Sequence, residues 1–340
     1  MSQPVTMQRV ADAAGVSRMT VSLALRNSPR ISEGTRRRVQ ALAVSLGYRP
    51  DPLIQRLATR LGQSRRERDG QVIAWVTAWK ERNGWKKYPA FCAAYEGALA
   101  RAEKLGYRLE EFWLRQPGMT ARRLSRILHQ RGIECVLIAP LPKGGGHLTL
   151  EWERFSLVAL GYSMVAPRVN RVVNHQLHSA REAIRQLYRR GYRRIGLCVL
   201  QEQNARVDHS WLEAIAYHQF QSPASDRVQP LVQSVWNAKE AQRWLKKERP
   251  DSLLVQGSWI REFLVKEGYS VPGDIAVALL DWPDRAQDMA GINQRIDVVG
   301  AAAVDLVVSQ AYHHEKGLPA APRTVMVEGI WIDGATVAKA

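Results

Sequence analysis

The 340-residue chain carries 49 Lys or Arg against 32 Asp or Glu, a formal net charge of +17 with a pI near 10.2, and 46% of it is apolar. That gives room for two or three domains with ordinary cores, and the basic excess points to a polyanionic partner, nucleic acid before membrane. It excludes a membrane helix, since no run of about eighteen apolar residues exists, and a secreted disulfide framework, since three scattered cysteines cannot build one.

The N-terminus MSQPVTMQRV has no apolar signal-peptide core, and Cys92, Cys135 and Cys198 read as buried thiols of a reducing cytoplasm. Thr6 is placed to cap a helix in which Met7, Val10, Ala11 and Ala14 follow at helical spacing. Gly15 sits where that helix stops, and Ser17 can cap the next. Two short helices joined by a glycine-containing turn form a helix-turn-helix. On a wheel of roughly 100° per residue, Thr20, Val21, Ala24 and Leu25 gather on one side, as core. Arg18, Met19, Ser22, Leu23 and Arg26 gather on the other, short or basic, as suits a recognition helix in a major groove. Such motifs also serve plain packing, and charge favours DNA: residues 1–68 hold thirteen basic and four acidic side chains, +9 in a fifth of the chain.

Asn27-Ser28-Pro29-Arg30 is a turn, and Ser32 can cap a third helix to about Leu46, with Val39, Leu42, Ala43 and Leu46 facing inward. Arg36, Arg37 and Arg38 on it are available for phosphates, which fix position without reading sequence. After Gly47, Asp51 can cap a short helix with Pro52 at its first position, too short to stand alone in water. Residues 59–70, TRLGQSRRERDG, are a polar, basic linker.

From Gln71 short apolar runs (QVIAWV, YRLEEFWL, IECVLIA, FSLVAL, RRIGLCVL, DSLLVQG, DIAVALL) alternate with helical stretches, among them Pro89–Leu105, Thr120–Arg131, Ser179–Arg190 and Trp259–Glu267. That alternation means parallel sheets with crossover helices, and the length suffices for two sheets with separate cores. Other signals carry little. Gly144-Gly145-Gly146 lacks the framework of a phosphate loop, and His175 and His178 lack a third metal ligand. No nucleophile-base arrangement stands in supporting context, so neither an enzyme, a metal nor a cofactor is expected.

The stretch VTMQRVADAAGVSRMTVSLAL…SEGTRRRVQALAVSLGYRPDPLIQRLA resembles the DNA-binding headpiece and hinge helix of the LacI/GalR family of bacterial regulators. RRGYRRIGLCV, VPGDIAVALLD and QRIDVVGAAAVDLV resemble landmarks of that family's periplasmic-binding-protein-like core. The resemblance implies an α/β protein with a helix-turn-helix domain at 1–50 and a hinge helix and linker at 51–70. A core at 71–332 follows, its two Rossmann-like subdomains taking about 71–162 with 296–322 and about 163–290 with 323–332. It also implies a homodimer on a palindromic double-stranded operator, a repressor in the cytoplasm, and a small, sugar-like (carbohydrate) effector between the subdomains. Arg18, Met19 and Leu23 fall at base-reading positions, with Thr6, Ser17, Ser22, Arg26, Arg37 and Tyr48 as further DNA contacts. Leu57 falls at the hinge leucine that wedges into the minor groove, a role that suits an apolar side chain able to unstack a base step. For the effector the resemblance singles out Asp281, Gln294 and Trp236, with Arg206 and His209 both candidates for a gripping arginine position. Trp79 and Trp282 stand beside strand C-terminal ends, where open α/β sheets bind ligands. The chain departs from the family at Gly257-Ser258, where an Asn-Asp pair is usual, and at Asn174-His175, where an acidic-amide pair is usual. Those losses favour the alternative of a ligand-independent or architectural DNA-binding protein with a disused cleft.

Overall fold

The structure, a computed structural model, describes residues 5–25, 27–28, 31–48, 71–282 and 288–338. Three helices make the N-terminal unit: α1 (Met7–Ala14), α2 (Arg18–Leu25) and α3 (Glu33–Ser45). Each starts where a hydroxyl accepts a backbone N–H that the first turn leaves unpaired: Thr6 from Arg9, Ser17 from Thr20, and Ser32 from Thr35. α1 ends at Gly15, whose φ of 63° is left-handed, with the N–H groups of Gly15 and Val16 returning to the carbonyls of Asp12 and Ala11. Val10, Ala11, Ala14, Val21, Ala24, Val39 and Ala43 form the core of this unit. The hinge at 51–58 and the linker lie outside the described residues.

The rest is built on two six-stranded sheets. In chain order the strands are β1 (Val72–Thr77), β2 (Arg108–Trp113), β3 (Cys135–Ile138), β4 (Gly146–His147), β5 (Ser156–Leu160), β6 (Met164–Ala166) and β7 (Asn170–Asn174). They continue with β8 (Ile195–Leu200), β9 (Leu231–Gln233), β10 (Ser252–Val255), β11 (Ala276–Leu279), β12 (Ala290–Asn293), β13 (Thr324–Val327) and β14 (Ile330–Ile332). The helices are α4 (Pro89–Lys104), α5 (Ala121–Gln130), α6 (Gln176–Arg189), α7 (Gln201–Arg206), α8 (Ser210–Gln221), α9 (Ala238–Glu248), α10 (Trp259–Lys266) and α11 (Ile296–Tyr312). One sheet runs β13-β7-β5-β3-β1-β2 and the other β14-β12-β11-β10-β8-β9; β4 and β6 form a separate pair. Every pairing within the two sheets is parallel except β12 with β14.

Apolar clusters cover both faces of each sheet, which is why the central strands read as unbroken apolar runs. α4 and α11 cross on one face of the first sheet at backbone contact. A Cβ on Gly300 would lie 1.9 Å from the Ala94 carbonyl oxygen, and one on Gly97 2.0 Å from that of Asp297. No described helix is long and apolar enough to cross a membrane.

The division between subdomains falls later in the chain than the sequence reading has it. β7 pairs with β5 and β13 pairs with β7, so residues 170–174 and 324–327 belong to the first sheet, not the second. Val172 belongs to the core on the α4–α11 face, and Val327 packs against it. The chain therefore crosses between the halves three times, at residues 174–176, 293–296 and 327–330.

Candidate DNA-reading helix and inter-subdomain cleft

α2 presents the face that the wheel selects. Arg18 is exposed and Met19 is 71% exposed, Ser22 and Leu23 are half-buried, and Val21 and Ala24 are fully buried. Arg18 makes no ion pair or hydrogen bond among the described residues, so its guanidinium keeps its donors for an outside acceptor. Gln40 on α3 donates to the Ala24 carbonyl (3.0 Å) and to Asn27 Oδ1 (2.8 Å), fixing the far end of α2. Thr6 and Ser17 are committed as caps, Ser17 Oγ also lying 2.9 Å from the Thr20 hydroxyl. Tyr48 is half-buried against the helical core. The three arginines of α3 are not equivalent. Arg38 donates to the Ala14 carbonyl at the end of α1 (3.3 Å), whereas Arg37 is held only in an exposed pair with Glu33, which a phosphate can replace at little cost. Arg26 and Leu57 lie outside the described residues.

Both sheets have the doubly wound order in which the first strand's neighbours leave on opposite sides, at β1/β3 and at β8/β10. The carboxyl ends of those strands open onto a single cleft of about 910 Å³ between the halves. Tyr88, Phe91, Pro140 and Tyr162 line it from the first subdomain; Arg206, Trp211, Trp259, Asp281 and Trp282 line it from the second.

The expected effector residues divide by position. Asp281, Trp282, Arg206 and Gln294 line the cleft; Trp79, His209 and Trp236 do not. Asp281, just beyond β11, is set where burial pushes its carboxyl up to about 6, and no cation among the described residues lowers it. Arg206 reaches across the cleft: its Nη1 donates to the carbonyls of Leu141 (3.1 Å) and Pro142 (2.9 Å), and its guanidinium lies 5.2 Å from the Phe91 ring centre. Burial pulls its pKa down. Gln294 is spent on the fold, bonded reciprocally to Gln176 and donating to the Leu280 carbonyl (2.8 Å), while Trp211 Nε1 completes the network at Gln176. Trp79 lies behind the wall, donating to the Pro140 carbonyl and packing on Tyr88 and Phe91. His209 is turned back onto Asn204 (3.2 Å). Trp236 is walled off because Trp259 and Phe263 pack edge-on against it, with ring centres 4.4 and 5.0 Å away.

Two features escape the sequence reading. Asn174 is a tie across all three crossings: its Nδ2 donates to the carbonyls of Gln294 (2.8 Å) and Val327 (3.0 Å), and its Oδ1 accepts from Ser179. Trp259, at the cleft wall and 39% exposed, stands soon after β10, as Trp79 and Trp282 stand after β1 and β11; the same positional signal marks it. Cys135 and Cys198 are buried thiols pushed up to about 12, but Cys92 is only half-buried and lines the cleft.

The module order is a helix-turn-helix unit followed by two doubly wound halves around a cleft, which defines the class by its fold. Residues 6–51 match the family described as bacterial regulatory proteins, lacI family, and residues 184–337 match the periplasmic binding protein-like domain. The N-terminal unit is thus a lacI-family DNA-binding domain, and the later part of the core is periplasmic-binding-protein-like. The regulator AglR of Rhizobium meliloti (strain 1021) is 43% identical over 56 residues, a stretch covering 16% of this chain and 16% of AglR. A structure of the transcriptional regulator CelR–cellobiose complex superposes with a TM-score of 0.55 at 20% identity, covering 98% of this chain and 99% of that one. The lac repressor dimer bound to operator and the anti-inducer ONPF gives 0.54 at 18% identity, covering 99% and 100%. These two likenesses are of fold.

Proposed function

We propose that the protein is a transcriptional repressor that binds a palindromic operator as a homodimer in the cytoplasm, and that a sugar-like effector in the inter-subdomain cleft modulates that binding. The observation that carries this reading is one cleft holding a half-buried, desolvated carboxylate and an arginine of the second half, the arginine already touching the first. A ligand held by these two groups of the second half that also meets Tyr88 or Tyr162 of the first completes its contacts in only one arrangement of the halves, and such differential affinity is what shifts a two-state equilibrium. CelR in complex with cellobiose, which shares the fold, supports a carbohydrate as the ligand class. The alternative, ligand-independent binding, draws on Gln294 and Gln176, whose amides satisfy each other. Operator gel shifts across a panel of monosaccharides, disaccharides and polyols separate the two. Under the proposal at least one compound changes operator affinity, whereas a flat response throughout the panel sinks the effector reading and leaves the alternative.

A further inference from the structure

Resting on the effector reading, we propose that the ligand is a carbohydrate of at least two rings, and that Trp259 is the platform for its second ring. The argument starts at Gly257, where the usual polar grip is missing. A Cβ there would lie 2.3 Å from Trp259 Nε1 and 2.6 Å from Cδ1, so the indole occupies the space that any larger residue would take. The absent side chain is therefore exchanged for an aromatic one rather than simply lost. Trp236, itself braced edge-on by Phe263, packs edge-on against that indole and fixes its orientation from behind. Yet 39% of Trp259 stays exposed at the cleft wall, an aromatic surface open to a ligand in the cleft.

The size of the cleft agrees. At about 910 Å³ it lies near the upper end of small-ligand sites, space for roughly thirty waters, while a single hexose has twelve non-hydrogen atoms. One ring anchored at Asp281 and Arg206 leaves the remainder of the cleft to water. A second ring covers the exposed indole with its apolar C–H face and keeps its hydroxyls toward solvent and the polar rim. Such a platform rewards ring number more than hydroxyl configuration, so Trp259 sets chain-length preference while the anchor end reads stereochemistry.

The test is calorimetric titration of the full-length protein with glucose, galactose, maltose, cellobiose, lactose and melibiose. In the wild type at least one disaccharide binds about tenfold or more tighter than either of its component monosaccharides. Trp259→Ala closes that gap, with monosaccharide affinity unchanged within about twofold, and Trp259→Phe restores part of it. Gly257→Ala, which pushes the indole aside, narrows the gap in the same direction. Far-UV circular dichroism and the thermal midpoint confirm that each variant is folded; if Trp259→Ala is not, the Phe and Gly257→Ala variants decide. A disaccharide preference that persists with the platform altered overturns the proposal while leaving the effector reading intact, as does a wild type that binds monosaccharides best. Absence of carbohydrate binding overturns both.

Discussion

Arg18 and Arg37 are both exposed arginines on the helical unit, and their surroundings assign them different work. Arg18 projects from the outward face of α2 beside Met19, whereas Arg37 sits in a surface pair on α3. Removing a bidentate base contact costs about 1–3 kcal/mol at one base pair, so Arg18→Ala should relax preference at a single operator position. Arg37→Ala should weaken operator and random DNA alike and lower the salt dependence by about one counterion. Binding curves on base-substituted operators distinguish them, and equal losses on every sequence for Arg18→Ala would remove it from the base readers. Asp281 gives a pH prediction with a definite sign. Its folded-state value of about 6 lies above the usual 3.8, so between those values the native state holds more protons than the unfolded one and stability falls as pH rises. Above pH 6 the full cost is present, on the order of 2–3 kcal/mol. Asp281→Asn should therefore unfold at a higher temperature than wild type at pH 7.5, with the gap closing below about pH 4. A gap that stays constant across the pH range would place the burial effect elsewhere. The same carboxylate bonded to a ligand hydroxyl makes Asp281→Ala weaken effector binding about ten- to a hundredfold in titration calorimetry, with ligand-free operator affinity unchanged.

Among the elements, α4 and α11 offer the sharpest test. At their crossing an added methyl at Gly300 meets backbone, which has no rotamer by which to withdraw. Gly300→Ala should cost about 3 kcal/mol or more in urea unfolding of the core. Gly34→Ala on α3, with nothing within 4 Å of the new Cβ, should instead stabilise its helix by about 0.5–1 kcal/mol. The central strands and most helices were legible because each carries a run or stripe long enough to show its period. β7 (NRVVN), β9, β12, β13 and β14 were not, being three to five residues long and, at β7, bounded by Asn. β7 and β13 between them misplaced the subdomain boundaries. At the site, Asp281 was singled out by the family resemblance and Trp282 by its place beyond a strand end, and both line the cleft. The exclusion of Trp236 was not, because it depends on Trp259 and Phe263 closing over it in three dimensions. Gly257 likewise reads as a missing grip until the indole packed over it is seen.

Over the whole molecule, the halves are joined by three crossings that one buried side chain ties together. Asn174→Ala leaves the carbonyls of Gln294 and Val327 without that donor, and should cost about 1–3 kcal/mol in core stability. It should also reduce the effect of any effector on operator affinity, since movement in one half is then less firmly passed to the other; full coupling in the variant would show that the tie is only structural. The crossings also set a timetable for biosynthesis. β13 closes the edge of one sheet and β14 the edge of the other, and only two residues separate them. A ribosome that has reached residue 320 has long since released a helical head with its own core, while both halves behind it still lack a border strand. The same few codons finish both halves. A nonsense change shortly before Thr324 would therefore leave the DNA-reading end attached to a core unfinished on both sides, a dominant competitor for operator sites or a substrate for proteolysis according to how long it survives.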